Sequence, residues 1–378
     1  MLTALLGAVA LAGPLKAQEA VPDFYKEPGI PPNRDYVNQH ATEHVDPFTG
    51  SLQIHSTDIH LPGNGGFDLK VIRSFNSSRI NPLNPADLAT SSLTGLGWTV
   101  LSNVCQNTDG GTAIGDNPVL ELPDGSRQVL AFTASTSPLM LSTQRWRADC
   151  LPGSGLAVHS PDGIRYDMTQ QVQEVGGAQP ITAWYTTRIT DRNGNHATIG
   201  YAAAASAQIS GVSASDGRSI AFSYLDPGTL SRRISSITTG GRTWTYSYEA
   251  IPNVVGRHFL TAVTRPDAVG SSWRYAHHTA AGTDSADHNQ LSQITHPQGG
   301  TVAFGYAHVF FDTTSNPNSR SVVVASKTTS AGGTWSFAYT PGANSVYDTT
   351  VVTTPAGDIT YRHFGANFAA SGSVWRIG

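Results

Sequence analysis

Histidines crowd the N-terminal part of the chain, at His40, His44, His55 and His60. Imidazoles at that density are the raw material of metal sites and general bases. His40 and His44 have the spacing that aligns two ligands on a helix, but the surrounding Pro and Thr favour extended chain, so the four read as strand-face or loop histidines. Four aspartates, Asp191, Asp216, Asp267 and Asp358, stand beside turn residues. There a carboxylate accepts hydrogen bonds from its own backbone, so turn chemistry explains them. Paired acid and base work would need carboxylates converging in a pocket. Gly63-Asn64-Gly65-Gly66 is too short for a phosphate loop and no helix pattern follows it, so it reads as a turn. No GxSxG elbow, HExxH, Walker loop or EF-hand loop occurs. The sequence therefore predicts no catalytic residue, no cofactor and no metal.

Cys105 and Cys150 are the two cysteines, without C-x-x-C spacing, so structural zinc is not indicated. In an exported chain they read either as a disulfide closing a long loop or as two separate buried thiols.

The elements that would position any chemistry are strands. Charged residues make up 13% of the 378-residue chain, and Gly 38 and Pro 22 separate short Val, Ile, Phe, Tyr and Trp clusters. That is the composition of a turn-rich all-β protein. A net charge of -4 without a basic run gives no electrostatic footprint for nucleic acid. Residues 1–17, apolar from Leu2 to Ala12 and ending in Leu15-Lys16-Ala17, read as a secretory signal, which implies export. The basic n-region is missing, and the alternatives are a wrongly assigned start or an apolar strand. No other window reaches the roughly 20 apolar residues of a membrane span. Residues 18–32 carry four prolines and read as an extended linker.

From residue 188 one phrase recurs: a short aliphatic and Thr strand, a turn with Gly, and a strand apolar at every second position. The copies are "RITDRNGNHATIGY", "GVSASDGRSIAFSY", "SITTGGRTWTYSY", "AVTRPDAVGSSWRYAH", "QITHPQGGTVAFGY", "SKTTSAGGTWSFAY" and "VVTTPAGDITYRH". Asn-Gly, Asp-Gly and Gly-Gly tolerate positive φ and predict hairpins with type I′ turns. Alternation places on one face the aromatics Tyr201, Phe222, Tyr224, Trp244, Tyr246, Tyr248, Trp273, Tyr275, Phe304, Tyr306, Trp335, Phe337, Tyr339 and Tyr361. Single hairpins are marginal, so neighbouring copies are expected to pair edge to edge and bury this stripe. An exposed platform for sugars is the alternative.

Residues 33–187 read as a separate, non-repeating β domain, and 188–378 as the hairpin array. Within the former, Ser51 to Ser56, Thr57 to Leu61 and Phe67 to Asn76 are expected as three strands. Further strand signals surround Trp98 to Val104, Val119 to Leu122, Arg127 to Phe132 and Ile164 to Met168.

The stretch "DPFTGSLQIHSTDIHLPGNGGFDLKVIRSFNSSR" (46–79), followed by "GLGWTV", resembles the β domain that opens many Rhs cores. The repeated phrases resemble YD repeats, although the Tyr-Asp dipeptide itself is rarely kept. The resemblance implies a hollow, spiralling β shell around a C-terminal polypeptide, often a toxin, as in polymorphic toxins. Family cores carry many more repeats and end in a self-cleaving plug built on aspartates. Asp46-Pro47 does not match that cleavage motif, and this chain is expected to be the N-terminal portion of a longer protein. The expected role is a non-enzymatic, exported scaffold whose partner is its own C-terminal cargo. A cell-surface adhesin binding carbohydrate is the alternative, and a polysaccharide-active enzyme on a β-solenoid a third reading.

Overall fold

The computed structural model describes residues 43–77, 93–94, 99–101, 105, 117–121, 127–134, 137–176, 179–227, 233–252, 254–267, 269, 271–279, 282, 285–312, 319–342 and 348–363. The expected signal (1–17), the linker (18–32) and His40 lie outside them. Among the described residues there is no α-helix, every strand ladder is antiparallel, and the protein is all-β.

The first sheet runs β1 (Glu43–Val45), β2 (Leu52–Leu61), β3 (Leu69–Asn76) and β4 (Leu93–Thr94), in that spatial order. Here the expectation of two strands over 51–61 is corrected, because β2 is a single strand carrying a bulge. Thr57 faces Ile72 and Ile59 faces Val71, so Asp58 is the extra residue. A bulge keeps the strand continuous while redirecting one side chain. Asp58 is the side chain redirected, and it turns into the interior.

The second sheet begins with β5 (Thr99–Leu101), β6 (Val119–Glu121), β7 (Arg127–Val129), β8 (Ala131–Phe132), β9 (Met140–Leu141), β10 (Arg147–Cys150) and β11 (Leu156–His159). Two long strands follow, β12 (Arg165–Gly176) and β13 (Gln179–Thr190). The array continues through β14 (His196–Tyr201), β15 (Ile209–Ala214), β16 (Ser219–Tyr224), β17 (Ile234–Thr239), β18 (Arg242–Ala250), β19 (His258–Thr264) and β20 (Ser272–His277). It ends with β21 (Leu291–Thr295), β22 (Thr301–Asp312), β23 (Ser319–Thr329), β24 (Thr334–Thr340), β25 (Asp348–Thr354) and β26 (Gly357–His363).

From β12 onward each strand pairs with its neighbours in sequence. β13 is a branch point: Ala183–Tyr185 pair with β5, and Arg188–Thr190 pair with β14. The division expected between residues 187 and 188 thus falls inside one strand, and the segments on either side share a sheet. Among the described residues β26 pairs with β25 alone, and the sheet does not close into a barrel. Cys105 and Cys150 are joined by a disulfide, with their Cα atoms 5.3 Å apart.

The expected type I′ turns require a correction. Two successive positive φ values of that kind occur at Gly240 and Gly241, at 53° and 73°. At Asn193-Gly194 and Asp216-Gly217 only the glycine is left-handed, with φ of 85° and 88°. There Gly194 N donates to Asp191 O and Asp191 N to Asn195 O, a wider turn in which the residue before Gly keeps ordinary geometry. The same two bonds recur at 142–146, 160–164, 214–218, 296–300 and 329–333. Two of these turns precede residue 188. "SPDGIRYDM" (160–168) is a copy that the sequence reading placed in the non-repeating region.

A second regularity is a bulge beside the closing ring of five of the copies; at Tyr339, which faces Thr350, the register is unbroken. Tyr201 lies opposite Ile209 and Gly200 opposite Gly211, leaving Ser210 extra. Ser235, Thr261, Ser292 and Ala325 are extra in the same way beside Tyr224, Tyr248, His277 and Tyr306. Opposite the closing ring sits a buried aliphatic residue each time: Ile209, Ile234, Leu260, Leu291 and Val324. One continuous hydrophobic cluster runs from Val45 on β1 to Val352 on β25, so both sheets share a core.

Candidate functional site

The face on which the first sheet meets the hairpin array gathers several of the buried charged side chains among the described residues, Glu43, Arg73 and Lys327. On β3 the inward positions Leu69, Val71, Arg73 and Phe75 alternate as expected, with an arginine in an apolar row. The bulge brings Asp58 to it. Arg73 Nε and Nη2 donate to the two Asp58 oxygens at 2.6 and 3.0 Å, a bidentate pair. Their side chains are 8% and 4% exposed.

Two repeat tyrosines complete the cluster. Tyr246 Oη donates to Asp58 Oδ2 at 2.7 Å, and Arg73 Nη1 donates to Tyr275 Oη at 3.0 Å. The guanidinium also lies 5.5 Å from the centre of the Tyr275 ring. Burial works against the charge on Arg73, but Asp58 and the two phenols around it hold its pKa well above the ordinary value. Burial, followed by the Asp58 charge, pushes the Tyr246 phenol up. The group is a neutralised knot joined by four hydrogen bonds, suited to fastening two sheets together.

Other contacts on this face follow the order of the repeats. Asn195 Nδ2 donates to Asn64 O at 3.4 Å. Arg218 donates to Leu61 O at 2.5 Å and Phe67 O at 2.8 Å, held by Asp216 at 2.7 Å. Beyond the Arg73 knot, Val324 N donates to Gly50 O at 2.8 Å, and Lys327 Nζ stands 4.0 Å from Glu43 Oε1. Phe48 meets Tyr361 edge to face at 5.7 Å. Gly50 is required here: at φ 69°, a Cβ would lie 2.5 Å from the Cβ and Cγ1 of Val323. Among the described residues the first sheet and its turns therefore touch six of the seven copies.

All fourteen aromatics of the expected stripe belong to the shared core. Phe222, Trp244, Tyr246, Tyr275, Phe304, Tyr306 and Phe337 are buried; Tyr201, Tyr224, Tyr248, Trp273, Trp335, Tyr339 and Tyr361 are partly buried against it. Edge-to-edge pairing of neighbours is present, but what meets several of these rings is the first sheet, a partner the repeat pattern does not contain. The closing tyrosines also tie the bulges. Tyr248, Tyr306 and Tyr339 donate to the carbonyls of Ile234, Leu291 and Val324 at 3.0, 2.9 and 3.0 Å. Each acceptor adjoins an extra residue, where the ladder is interrupted and a side-chain donor can take its place.

No family model and no curated protein matches the chain. Among solved structures, three similar ones are the crystal structures of TcdB2-TccC3-Cdc42, TcdB2-TccC3-TEV and TcdB2-TccC3. Identities are 10%, 11% and 10%, with TM-scores of 0.24, 0.28 and 0.28. They cover 81%, 87% and 89% of this chain, which spans 18%, 16% and 19% of theirs. Superposition at that level assigns neither fold nor role.

The residues first suspected of chemistry are dispersed. His44 and His55 stack at 6.4 Å between ring centroids, while His60 pairs with Asp68 at 2.7 Å on the surface. Among the described residues no three His, Cys, Asp or Glu side chains converge to hold a metal. Asp191 accepts from Asn193 N, Asn195 N and Asn195 Nδ2 at 2.8, 2.9 and 2.7 Å, and Asp267 from Ser271 N at 2.7 Å. Asp216 serves its own turn and Arg218. Asp58, Arg73, Arg218, Glu43 and Lys327 were missed. The available signal was a charged residue at an inward strand position, which Arg73 displays. No helix among the described residues is long and apolar enough to cross a membrane.

Proposed function

We propose that this chain is a non-enzymatic scaffold segment of an exported, polymorphic-toxin-like protein, forming part of a β shell around a C-terminal cargo. The burial of the repeat aromatics carries this reading: none of the fourteen is exposed, and the first sheet meets several of them. Rings committed to a core are unavailable as a sugar platform, which weighs against the adhesin alternative. The mechanism would be confinement, with paired hairpins as a wall and the Arg73 knot and Arg218 as ties to the first sheet.

Trp244→Ala is the test. Trp244 is 7% exposed. A scaffold loses about 3–5 kcal/mol and its melting temperature falls. A variant that keeps its melting temperature while losing binding on a glycan array would overturn the reading. Enclosure itself is tested on the protein expressed from its full native gene: C-terminal sequence should resist protease in the parent and become sensitive in Trp244→Ala.

A further inference from the structure

We propose that Asn64-Gly65 is a site of self-modification, at which the chain converts Asn64 to isoaspartate and so loosens the first sheet from the first two copies of the array. The chain contains two Asn-Gly pairs, Asn64-Gly65 and Asn193-Gly194, both on exposed turns. The two turns touch: a Cβ on Gly65 would lie 3.2 Å from Asn193 Nδ2, and Asn195 Nδ2 donates to Asn64 O. What separates them is the attacking nitrogen. In the first turn Gly63 N donates to Asp68 Oδ1, Gly66 N to Gly63 O, Phe67 N to Asn64 O and Asp68 N to Gly66 O. Among the described residues Gly65 N has no acceptor, and the Asn64 side chain is in no hydrogen bond. Gly194 N, in contrast, donates to Asp191 O at 3.3 Å, and the Asp191 carboxylate also holds the main chain at Asn193 and Asn195.

Gly65 N attacks Asn64 Cγ as it loses its proton. The N–Cγ bond forms and the Cγ–Nδ2 bond breaks, releasing ammonia that carries a proton away. Water then opens the five-membered imide. Addition at Cγ gives aspartate, and addition at the main-chain carbonyl gives isoaspartate, in which the chain runs through Cγ. The sum is asparagine plus water to acid plus ammonia, with nothing oxidised or reduced. Attack requires the main chain to swing. Glycines at 63, 65 and 66, the last two with φ of 62° and 81°, resist that least. Isoaspartate lengthens the turn by one carbon and adds a negative charge. Arg218 clasps Leu61 O and Phe67 O across this turn and Asn195 holds Asn64 O, so both ties lose their register. The Arg73 knot contains neither residue of the pair, which keeps the loosening local.

The experiment keeps the whole chain, folded and in urea, at neutral and mildly alkaline pH, with peptide mapping that separates asparagine, aspartate and isoaspartate. In urea the two pairs should convert at similar rates, since the dipeptide is the same. In the folded chain Asn64 should stay close to its urea rate. Asn193 should fall behind by about two- to tenfold, the worth of one hydrogen bond broken before attack. Conversion should quicken with rising pH, because the nucleophile is the deprotonated amide. Hydrogen exchange of the converted fraction should rise at 61–67 and hold at 244–248. Asn64→Gln, which would need a six-membered imide, should keep exchange at 61–67 steady over the same period. Asn64 intact in the folded chain while urea converts it, Asn193 converting as fast, or unchanged exchange after conversion each overturns the proposal. None of these results bears on the scaffold reading, which Trp244→Ala decides separately.

Discussion

Arg73 and Tyr275, 202 positions apart in sequence, meet through a 3.0 Å hydrogen bond in the interior. The bond joins the first sheet to the fourth copy of the repeat, and Asp58 anchors it by pairing with Arg73. Asp58→Ala leaves the guanidinium buried without its carboxylate and should cost about 3–5 kcal/mol. Replacing both by apolar residues, Asp58→Leu with Arg73→Met, removes the orphaned charge and should cost less than Asp58→Ala alone. Urea unfolding of the parent and the two variants gives the comparison; equal losses would mean that the charge is hydrated in place.

Tyr306→Phe keeps the ring and deletes the donor to Leu291 O, a buried bond of 2.9 Å. A loss of about 1–3 kcal/mol in denaturant unfolding is expected for the stranded carbonyl. A loss near zero would show that the bulge carbonyl has another donor.

Gly50→Ala and Gly66→Ala form a matched pair. Both glycines have positive φ, 69° and 81°. Around Gly66 a Cβ meets nothing within 4 Å, whereas at Gly50 it strikes Val323 at 2.5 Å. Gly66→Ala should cost about 1 kcal/mol from backbone conformation alone. Gly50→Ala adds about 1–3 kcal/mol of overpacking and should raise exchange at Val324 N, whose acceptor is Gly50 O.

His277 takes the place of tyrosine at the end of the fourth copy and stacks on Phe259 at 3.9 Å. Burial, and secondarily His278, hold its pKa down at about 3. Because the folded value lies below the unfolded one, its effect on stability is absent above about pH 6.5 and grows as pH falls, by at most about 1.4 kcal/mol per unit. His277→Phe should match the parent at neutral pH within the packing change and exceed it below about pH 5 in thermal melts. Parallel curves would refute the assignment.

The array was legible because its signals are local: Gly beside a turn residue, then alternating apolar residues such as Trp244, Tyr246 and Tyr248. The turn geometry was less legible. Asn193-Gly194 satisfies two turn types, and which one forms depends on Asp191 accepting from Asn193 and Asn195. The bulge at Asp58 was hidden because "STDIHL" reads as a fresh strand as readily as a kinked one. The copy at 160–168 carries its Gly163 and Tyr166 openly, but no closing Tyr or His follows at the usual place. Hardest to see was the face joining the sheets. Arg73 is conspicuous among Val71 and Phe75, yet nothing near it in sequence announces Tyr275 or Tyr246.

The contacts of the first sheet also bear on the order of synthesis. β2 and β3 leave the ribosome before the first copy is made, and their meeting points advance through Asn64 with Asn195, Asp58 with Tyr246, Gly50 with Val324 and Phe48 with Tyr361. All but one of the hairpins can therefore dock on a surface already standing as they are made, and each can pair with its predecessor. In a chain dominated by strand edges, that schedule limits the unpaired edge at any moment to the last hairpin made.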